Sequence, residues 1–384
     1  MRLALRLARR GYGATSPNPM VGAVLVRRGR VIGRGWHHQA GQPHAEIEAL
    51  NDARRRGHAP RGATLYVTLE PCCTQGRTPP CTGAIIAAGL RRVIVGATDP
   101  NPNHAGQGFA ILRRAGIAVA ALHEVSASAP ARRVAEECTR LNEAFNHWIV
   151  RRTPFVVVKA AMTLDGKIAT PGGESKWITG EPARAAGMGL RQGSDAILVG
   201  VNTVLADDPS LTVRLPDSGR PPRLRRLVLD SQARTPLTAR VVSDEFAALT
   251  TMVVGRNAPA RRAAALARKV NVLVAPVTRP ATGGRPVISL RWLLKKLGAE
   301  NVTRLLVEGG GEVNASFLLG GFAHRVVFFY APKILGGRTA HKAVAGDGIR
   351  RLRDVIRLQD VEWRKLGEDL MLTARVAPVK KAGR

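Results

Sequence analysis

The stretch Leu69–Cys81, LEPCCTQGRTPPC, places three of the chain's four cysteines in one loop rich in proline, threonine and glycine. Four readings are open to those sulfurs: a disulfide, a reactive thiol, a metal clamp, or packing. Four cysteines in 384 residues make a disulfide framework a poor reading and leave metal binding and reactivity to be weighed. Upstream, His44 and Glu46 stand in PHAEIEAL (Pro43–Leu50). Zinc favours thiolates and imidazoles, and a catalytic zinc keeps one of its four positions open. His44, Cys72 and Cys81 supply three ligands for one ion per chain.

Pro71 before Cys72 and Pro79-Pro80 before Cys81 favour helix starts. Each thiolate would then sit at the positive end of a helix dipole, which lowers its pKa. Adjacent residues cannot easily face one ion together, so Cys72, directly after proline, is read as the ligand and Cys73 as a packed or supporting thiol. Glu46, in the first turn of the following helix, is placed to move protons at the metal site without being a ligand. The arrangement satisfies the H-x-E…P-C-x-x-C signature of zinc nucleobase deaminases, except that Cys81 lies nine positions after Cys72. A closed structural zinc site or buried thiols is the competing reading.

Working outward, the apolar content is that of a globular protein, with sparse aromatics and a core to be built from Val, Leu, Ile and Ala. An α/β architecture of two domains suits that composition and length. No run of 18 apolar residues appears and the N-terminus lacks a charged end followed by an apolar block, so a cytoplasmic enzyme with no membrane association is expected. The formal charge of +31 could attract nucleic acid, anionic membrane or phosphorylated small molecules. Arginines outnumber lysines 48 to 11 and are spread along the chain. With no aromatics interleaved to stack bases, a solvated surface is preferred to a nucleic-acid stripe.

The expected elements in the first part are a helix at about 2–11, a hairpin turning at Arg28-Gly29, a helix over HAEIEALNDARRRG with Ile47, Leu50 and Arg54 in register and Gly57 as its stop, and the strand ATLYVTL leading into the cysteine loop. Helix TGAIIAAG, strand RVIVGA, a helix ending near Gly116 and strand IAVAAL follow. A helical segment from about Ser126 to Trp148 precedes Pro154, and the boundary is drawn there, giving domains 1–148 and 149–384. Seven further strands are expected beyond it, from PFVVVKAAM to RVVFFYAP. Loops near 215–225 and 276–287 and the C-terminal PVKKAGR are expected to be mobile or frayed. Gly309-Gly310-Gly311, between a strand and a helix, could bring backbone amides to a pyrophosphate, although a ligand-free glycine turn is an even alternative.

TSPNPMVGAVLV, HAEIEAL, YVTLEPCCTQGRTPPCTGAIIAAG and ATDPNPNHAGQGFAILRRAGI, in that order, resemble the deaminase domain of the bifunctional riboflavin-biosynthesis deaminase/reductase family. In that family the longer cysteine spacing is the norm. KAAMTLDGKIAT, SKWITG, VLADDPSLTVR and LLVEGGGEVNASFL resemble its reductase domain. The resemblance implies a cytidine-deaminase-like zinc domain followed by a dihydrofolate-reductase-like α/β domain that uses NADPH. It implies hydrolytic loss of an exocyclic amine from a phosphoribosylated diaminopyrimidinone, with Glu46 carrying the proton, and then reduction of the ring-opened ribosylamine to a ribityl chain. Asn18, in the Pro-Asn-Pro turn, is a candidate to orient the ring or is a plain turn residue. Cofactor contacts are implied at Ala161, Trp177, Thr203, Asp207, Ser231 and the run Gly310, Gly311, Glu312, Val313, Asn314, Ala315, Ser316. Substrate contacts are implied at Ser175, Arg191, Leu211, Arg214 and Glu308, the arginines suiting a ribose phosphate or else lying on the surface. Asp165 could assist the reduction or cap a turn. A homo-oligomer, dimer or tetramer, is expected, and nucleic acid is not expected as a partner. A tRNA-type zinc deaminase with an accessory domain and a non-catalytic zinc scaffold are the competing functions.

Overall fold

The cysteine loop is held by a small sheet whose first hairpin is dictated locally. Arg28 and Gly29 both take positive φ, +48° and +76°, the twist that a two-residue turn between antiparallel strands demands. In the computed structural model, which describes residues 1–76, 79–214, 224–278 and 287–378, the chain divides into two compact units, Met1–Arg152 and Thr153–Arg384. The loops expected near 215–225 and 276–287 and the C-terminal tail fall, at 215–223, 279–286 and 379–384, outside the described residues, as do Arg77 and Thr78.

The first unit runs α1 (Arg2–Ala8), β1 (Gly22–Arg27), β2 (Arg30–Trp36), α2 (Ala45–Arg55), β3 (Thr64–Val67), α3 (Cys81–Ala87), β4 (Arg92–Val95), α4 (Gln107–Arg114), β5 (Ala118–Ala121), α5 (Leu122–Val125), α6 (Ala129–Leu141) and α7 (Glu143–Arg151). The sheet order is β2-β1-β3-β4-β5, antiparallel through β3 and parallel from β3 to β5. The division between the units falls after α7 has ended and not at Trp148, which is buried within that helix. The helical stretch before it is two helices, broken at Asn142. The Asn142 side chain forms paired bonds to the backbone of Met20, its Oδ1 accepting from the amide at 2.8 Å and its Nδ2 donating to the carbonyl at 2.9 Å.

Helix α2 corrects the face read from the sequence. Its buried stripe is Ala45, Glu46, Ala49, Leu50 and Ala53, whereas Ile47 is half-buried and Arg54 exposed. The reason lies beneath it in β2. A Cβ on Gly33 would collide with the Ala49 carbonyl oxygen and one on Gly35 with the Ala45 carbonyl oxygen, so alanine and glycine let helix and strand approach closely. Small residues, not large ones, therefore set which way α2 faces, and that rotation carries Glu46 inward.

The second unit contains β6 (Phe155–Thr163), β7 (Lys167–Ala169), α8 (Glu181–Gln192), β8 (Ala196–Gly200), α9 (Val201–Asp207), β9 (Arg225–Leu229), α10 (Arg240–Ser243), β10 (Thr250–Gly255), α11 (Ala260–Ala267) and β11 (Asn271–Ala275). It continues with β12 (Val277–Thr278), β13 (Val287–Ile288), α12 (Leu290–Ala299), β14 (Arg304–Val307), α13 (Gly311–Leu319), β15 (Arg325–Ala331), β16 (His341–Lys342), β17 (Leu358–Leu366) and β18 (Asp369–Val376). Nine strands form one sheet, ordered β11-β10-β9-β8-β14-β6-β15-β18-β17, parallel from β11 to β15 and antiparallel beyond. One face packs Leu198, Leu227, Val253 and Leu305 against α12 and α13, and the other packs Ile197, Val228 and Met252 against α9 and α10. The seven expected strands are present. The sequence reading omitted β17 and β18 and the short strands β7, β12, β13 and β16; β17 is exposed along nearly its whole length and carries no apolar run to reveal it.

The close approach of α2 to β2 yields a direct test. Gly35→Ala should destabilise the first unit by roughly 1–3 kcal/mol through overpacking. Denaturant unfolding of the full chain, followed by a probe in that unit, checks this, with Gly29→Ala as a comparison site where no neighbour crowds the position and only the positive φ is strained.

Candidate functional site: a zinc triangle and a glycine cradle

His44 is the residue immediately before α2, extended at φ −74°, ψ 164°, and Glu46 lies in the helix's first turn. Cys81 opens α3, capped by Pro80, as the proline pair suggests. Cys72 does not start a helix and lies in chain without regular secondary structure, which corrects the expectation drawn from Pro71. It reaches a helix end by another route: its Sγ accepts the backbone N–H of Cys81 at 3.3 Å, and its carbonyl accepts the amide of Thr82 at 3.2 Å. Both sulfurs thus share the positive end of α3.

His44 Nδ1 lies 3.5 Å from Cys72 Sγ and 3.3 Å from Cys81 Sγ, and all three ligand atoms lie within 4.8 Å of one another. Zinc bonds of about 2.3 Å to sulfur and 2.0–2.1 Å to nitrogen at tetrahedral angles imply nitrogen–sulfur edges of about 3.6 Å. The triangle therefore fits zinc. Among the described residues no fourth His, Cys, Asp or Glu joins it, and half-exposed Cys73 stands outside.

The charges are coupled. Cys72 is driven down to about 4, first by a hydrogen bond from the Cys81 thiol and then by His44, while Cys81 is pushed up by the same bond to Cys72 and by burial. The hydrogen bond to Cys72 raises His44. Glu46 is only 3 % exposed, and burial, followed by the negative Cys72, lifts its carboxyl to about 7. A carboxyl that changes state near neutrality beside a metal triangle is the property a proton carrier needs.

The surrounding loops are tied in by residues that the sequence reading passed over. Buried His37 donates from Nδ1 to the Pro43 carbonyl at 3.1 Å and accepts from Asn18 Nδ2 at 3.1 Å, linking Asn18 to the residue before His44. The His37 and His44 rings meet edge to face at 5.1 Å. Buried Glu70 accepts the amides of Asp99 (3.2 Å), Gly106 (3.1 Å) and Gly108 (3.0 Å), binding the loop after β4 to the cysteine loop. His104 from that loop joins Asp99 Oδ2 at 3.3 Å to Thr74 Oγ1 at 2.7 Å. The only local signal for Glu70 was a carboxylate beside two cysteines.

In the second unit, the carboxyl ends of β8, β9 and β14 open on one edge of the sheet, the position where parallel α/β sheets bind ligands. Thr203, Ser231 and Gly310 follow those three strands in turn, and Ala161 lies near the end of β6. The three glycines are not equivalent. A Cβ on Gly309 would meet Val313 at 2.5 Å, and one on Gly311 would collide with the Lys342 carbonyl. At Gly310 the nearest atom would be Thr203 Oγ1 at 3.8 Å. Gly309 and Gly311 serve packing, and Gly310 leaves open space at the N-terminus of α13. That space, lined by a hydroxyl and helix-end amides, fits a dinucleotide pyrophosphate.

The other expected contacts are distributed unevenly. Ser175 donates to Asp207 Oδ1 at 2.8 Å, so those two meet. Trp177 is 64 % exposed under the Arg184 guanidinium at 4.7 Å. Glu312 is exposed, its Oε1 accepting the Gly346 amide at 3.4 Å, and Val313 packs under Gly309. Asn314 is fully buried, donating to the Ala343 carbonyl at 2.8 Å, Ala315 is buried beside it, and the Ser316 hydroxyl turns back to the Glu312 carbonyl. Asp165 accepts the amides of Leu335 (3.1 Å) and Gly336 (2.8 Å) and the Thr163 hydroxyl (2.6 Å), which is a capping arrangement.

Arg191 is not a free cation. It makes a two-pronged pair with Glu308 at 3.0 and 2.9 Å and donates a third bond to the Thr212 carbonyl at 3.0 Å. Lys159 Nζ, absent from the sequence reading, joins the same carboxylate at 3.6 Å. Leu211 is buried, and Arg214 is exposed.

A family model for the cytidine and deoxycytidylate deaminase zinc-binding region matches residues 1–97, and one for the RibD C-terminal domain matches 154–372. A curated relative from Aquifex aeolicus, "Riboflavin biosynthesis protein RibD", is 42 % identical, with 97 % of this chain and 96 % of that one covered. The chain belongs to the RibD family. Among solved RibD structures, form 1 of the Acinetobacter baumannii protein superposes with TM-score 0.82 at 34 % identity, covering 98 % of this chain and 97 % of that one. A Thermotoga maritima RibD-like structure, described as a diaminohydroxyphosphoribosylaminopyrimidine deaminase/5-amino-6-(5-phosphoribosylamino)uracil reductase, superposes with TM-score 0.78 at 33 % identity over the same shares.

Glu308 provides a pH test within this RibD fold. Burial pushes its carboxyl up, but Lys159 and Arg191 outweigh burial and hold it at about 2. A depressed carboxylate stabilises the fold fully above its unfolded value near 4.5, and that stabilisation is lost as pH falls from there toward 2. Glu308→Gln, which also strands two cations, should cost about 3 kcal/mol at pH 7. Unfolding measured at pH 7 and pH 3 should show the gap to wild type narrowing at the lower pH.

Proposed function

We infer that the chain is a bifunctional enzyme of riboflavin biosynthesis, a zinc-dependent deaminase joined to an NADPH-dependent reductase. The observation that carries this is the triangle of His44, Cys72 and Cys81 beside buried Glu46, in a chain matched at nearly full length by RibD proteins. The proposed substrate is 2,5-diamino-6-(5-phosphoribosylamino)pyrimidin-4(3H)-one and the product, after both steps, is 5-amino-6-(5-phosphoribitylamino)uracil. The full-length relatives and the reductase unit do not favour the tRNA-deaminase alternative, and nucleic acid is left out of the proposed partners.

His44, Cys72 and Cys81 are the proposed zinc ligands. Zinc held there supplies the Lewis acidity that activates a water at neutral pH. Glu46 would serve as the proton carrier, moving one proton of the attacking water to the ring nitrogen and the second to the amine that leaves as ammonia. Asn18, bonded to His37, is the proposed hydrogen-bond partner of the ring. In the second unit, Thr203, Ser231 and the first turn of α13 would hold the cofactor, with Ala161, Trp177 and Asp207 around them. NADPH supplies the hydride. Arg214 is the exposed cation available to a phosphate, whereas Arg191 and Glu308, already paired, present a fixed polar wall beside Thr212. Asp165 is assigned to the turn and not to proton transfer.

No helix among the described residues is long and apolar enough to cross a membrane. The proposed compartment is the cytoplasm, where thiolate ligands stay reduced. The proposed assembly is a homo-oligomer, supported by the exposed Val361 and Trp363 of β17.

The test is to supply the diaminopyrimidine substrate with and without NADPH, following ammonia release and cofactor oxidation separately. Glu46→Gln should retain zinc by elemental analysis, lose at least about a hundredfold in deamination, and still reduce substrate that has already been deaminated. Cys72→Ala should lose the metal, while Cys73→Ala should keep metal and activity. Zinc retained in Cys72→Ala and lost in Cys73→Ala would reverse the ligand assignment.

A further inference from the structure

The second unit buries an arginine that the reactions described do not use. Arg226 is the second residue of β9, 1 % exposed, on the same side of the strand as Leu224 and Val228, which belong with Val241, Val242 and Met252 to one apolar cluster. All its donors are taken. Nε donates to Thr250 Oγ1 at 2.8 Å, and Nη1 donates to the Ser210 carbonyl at 2.7 Å and Asp244 Oδ2 at 2.7 Å. Nη2 donates to the Val241 carbonyl at 3.2 Å and Asp244 Oδ1 at 2.7 Å. An apolar side chain of similar volume would fill this core without the cost of dehydrating an ion pair. What only the arginine supplies is a fixed fork of donors, one of which leaves the cluster for Ser210.

Ser210 belongs to a turn under strain. Asp208 and Leu211, neither of them glycine, take φ of +41° and +53°, a region in which a side chain with a Cβ crowds its own backbone. Such a conformation persists only where its surroundings over-determine it, and here three arginines do so. The Asp208 carboxylate accepts the Arg240 amide at 2.8 Å, the Ser210 carbonyl is held by Arg226, and the Thr212 carbonyl by Arg191. Leu211 is driven into the same cluster as Leu224 and Val228, the neighbours of Arg226 along β9. The pinned segment, DPSLTVR, ends at the exposed Arg214.

We propose that Arg226 is a positioning residue for the reductase: by gripping the Ser210 carbonyl it locks the strained Asp208–Arg214 segment in the one shape that seats Leu211 in the core and presents Arg214 to the pyrimidine substrate. It acts on substrate binding and not on the cofactor, since Thr203, Ser231 and Gly310 are not among its partners. The proposal rests on the reductase reading of the second unit. The deaminase serves as an internal control on the same chain, because the five donors of Arg226 all go to residues of the second unit.

The test uses the full zinc-loaded chain as Arg226→Met and Arg226→Lys, assayed below the unfolding temperature of each. For reduction of the deaminated pyrimidine, KM should rise at least about tenfold, KM for NADPH should stay within about twofold, and deamination should be unchanged. Arg226→Lys should not rescue, because one ammonium cannot reproduce the planar fork. Hydrogen exchange over 208–214 should quicken at least about tenfold in both variants while β8 stays protected. A folded variant of either kind with wild-type KM for the pyrimidine overturns the proposal, as does an equal loss in both KM values, which marks general damage. If Arg226→Met does not fold, Arg226→Lys carries the same comparison. A wild type that releases ammonia but never oxidises NADPH would refute the reductase reading instead, and unaltered exchange at 208–214 would then still refute the grip of Arg226.

Discussion

Bringing an imidazole nitrogen from the entrance of α2 together with two sulfurs from the two ends of the cysteine loop is the constraint on which the first unit depends. Two sulfurs that approach this closely cannot both carry charge without positive partners. The fold supplies these at one place: the first amide of α3 donates to Cys72, the α3 dipole faces both sulfurs, and His44 lies against them. A divalent cation completes the balance. Burial first, and then the negative Cys72 beside it, lift the Glu46 carboxyl to about 7, unlike a surface carboxylate.

The geometry of that triangle is set by packing well away from it. Alanines of α2 resting on glycines of β2 choose the helix face, and that choice buries Glu46 and leaves His44 at the helix entrance. Glu70 and Asn142 anchor the two loops that complete the rim, each by bonding backbone groups that would otherwise be unsatisfied inside the protein. In the second unit, buried carboxylate–arginine pairs do the corresponding task, fixing a turn that its own backbone preferences oppose.

Much of this was legible in the sequence. The grouping of His44, Cys72 and Cys81 follows from residue type and spacing, because zinc chemistry restricts which side chains can serve, whereas the glycine run Gly309–Gly311 gives only a weak signal that does not tell its three members apart. What was not legible depends on tertiary contact. The helix start assigned to Cys72 failed because proline permits a helix without requiring one, and the sulfur found a neighbouring helix end instead. The stripe on α2 was misjudged because large residues were weighted over small ones, when the partner strand had glycines to match alanine. Strand β17 carries no alternation, since both its faces meet solvent. Arg191 looked like a free cation, and only the fold reveals the Glu308 opposite it, 117 residues away. The many arginines likewise concealed that Arg226 is an interior residue.

The central claim is an open three-ligand zinc site, and X-ray absorption at the zinc edge of the purified full chain tests it most directly. The account predicts two sulfurs at about 2.3 Å and two lighter nitrogen or oxygen neighbours at about 2.0–2.1 Å, at one zinc per chain. A shell of three or four sulfurs, or a chain that holds no zinc while still releasing ammonia from the pyrimidine, would contradict it.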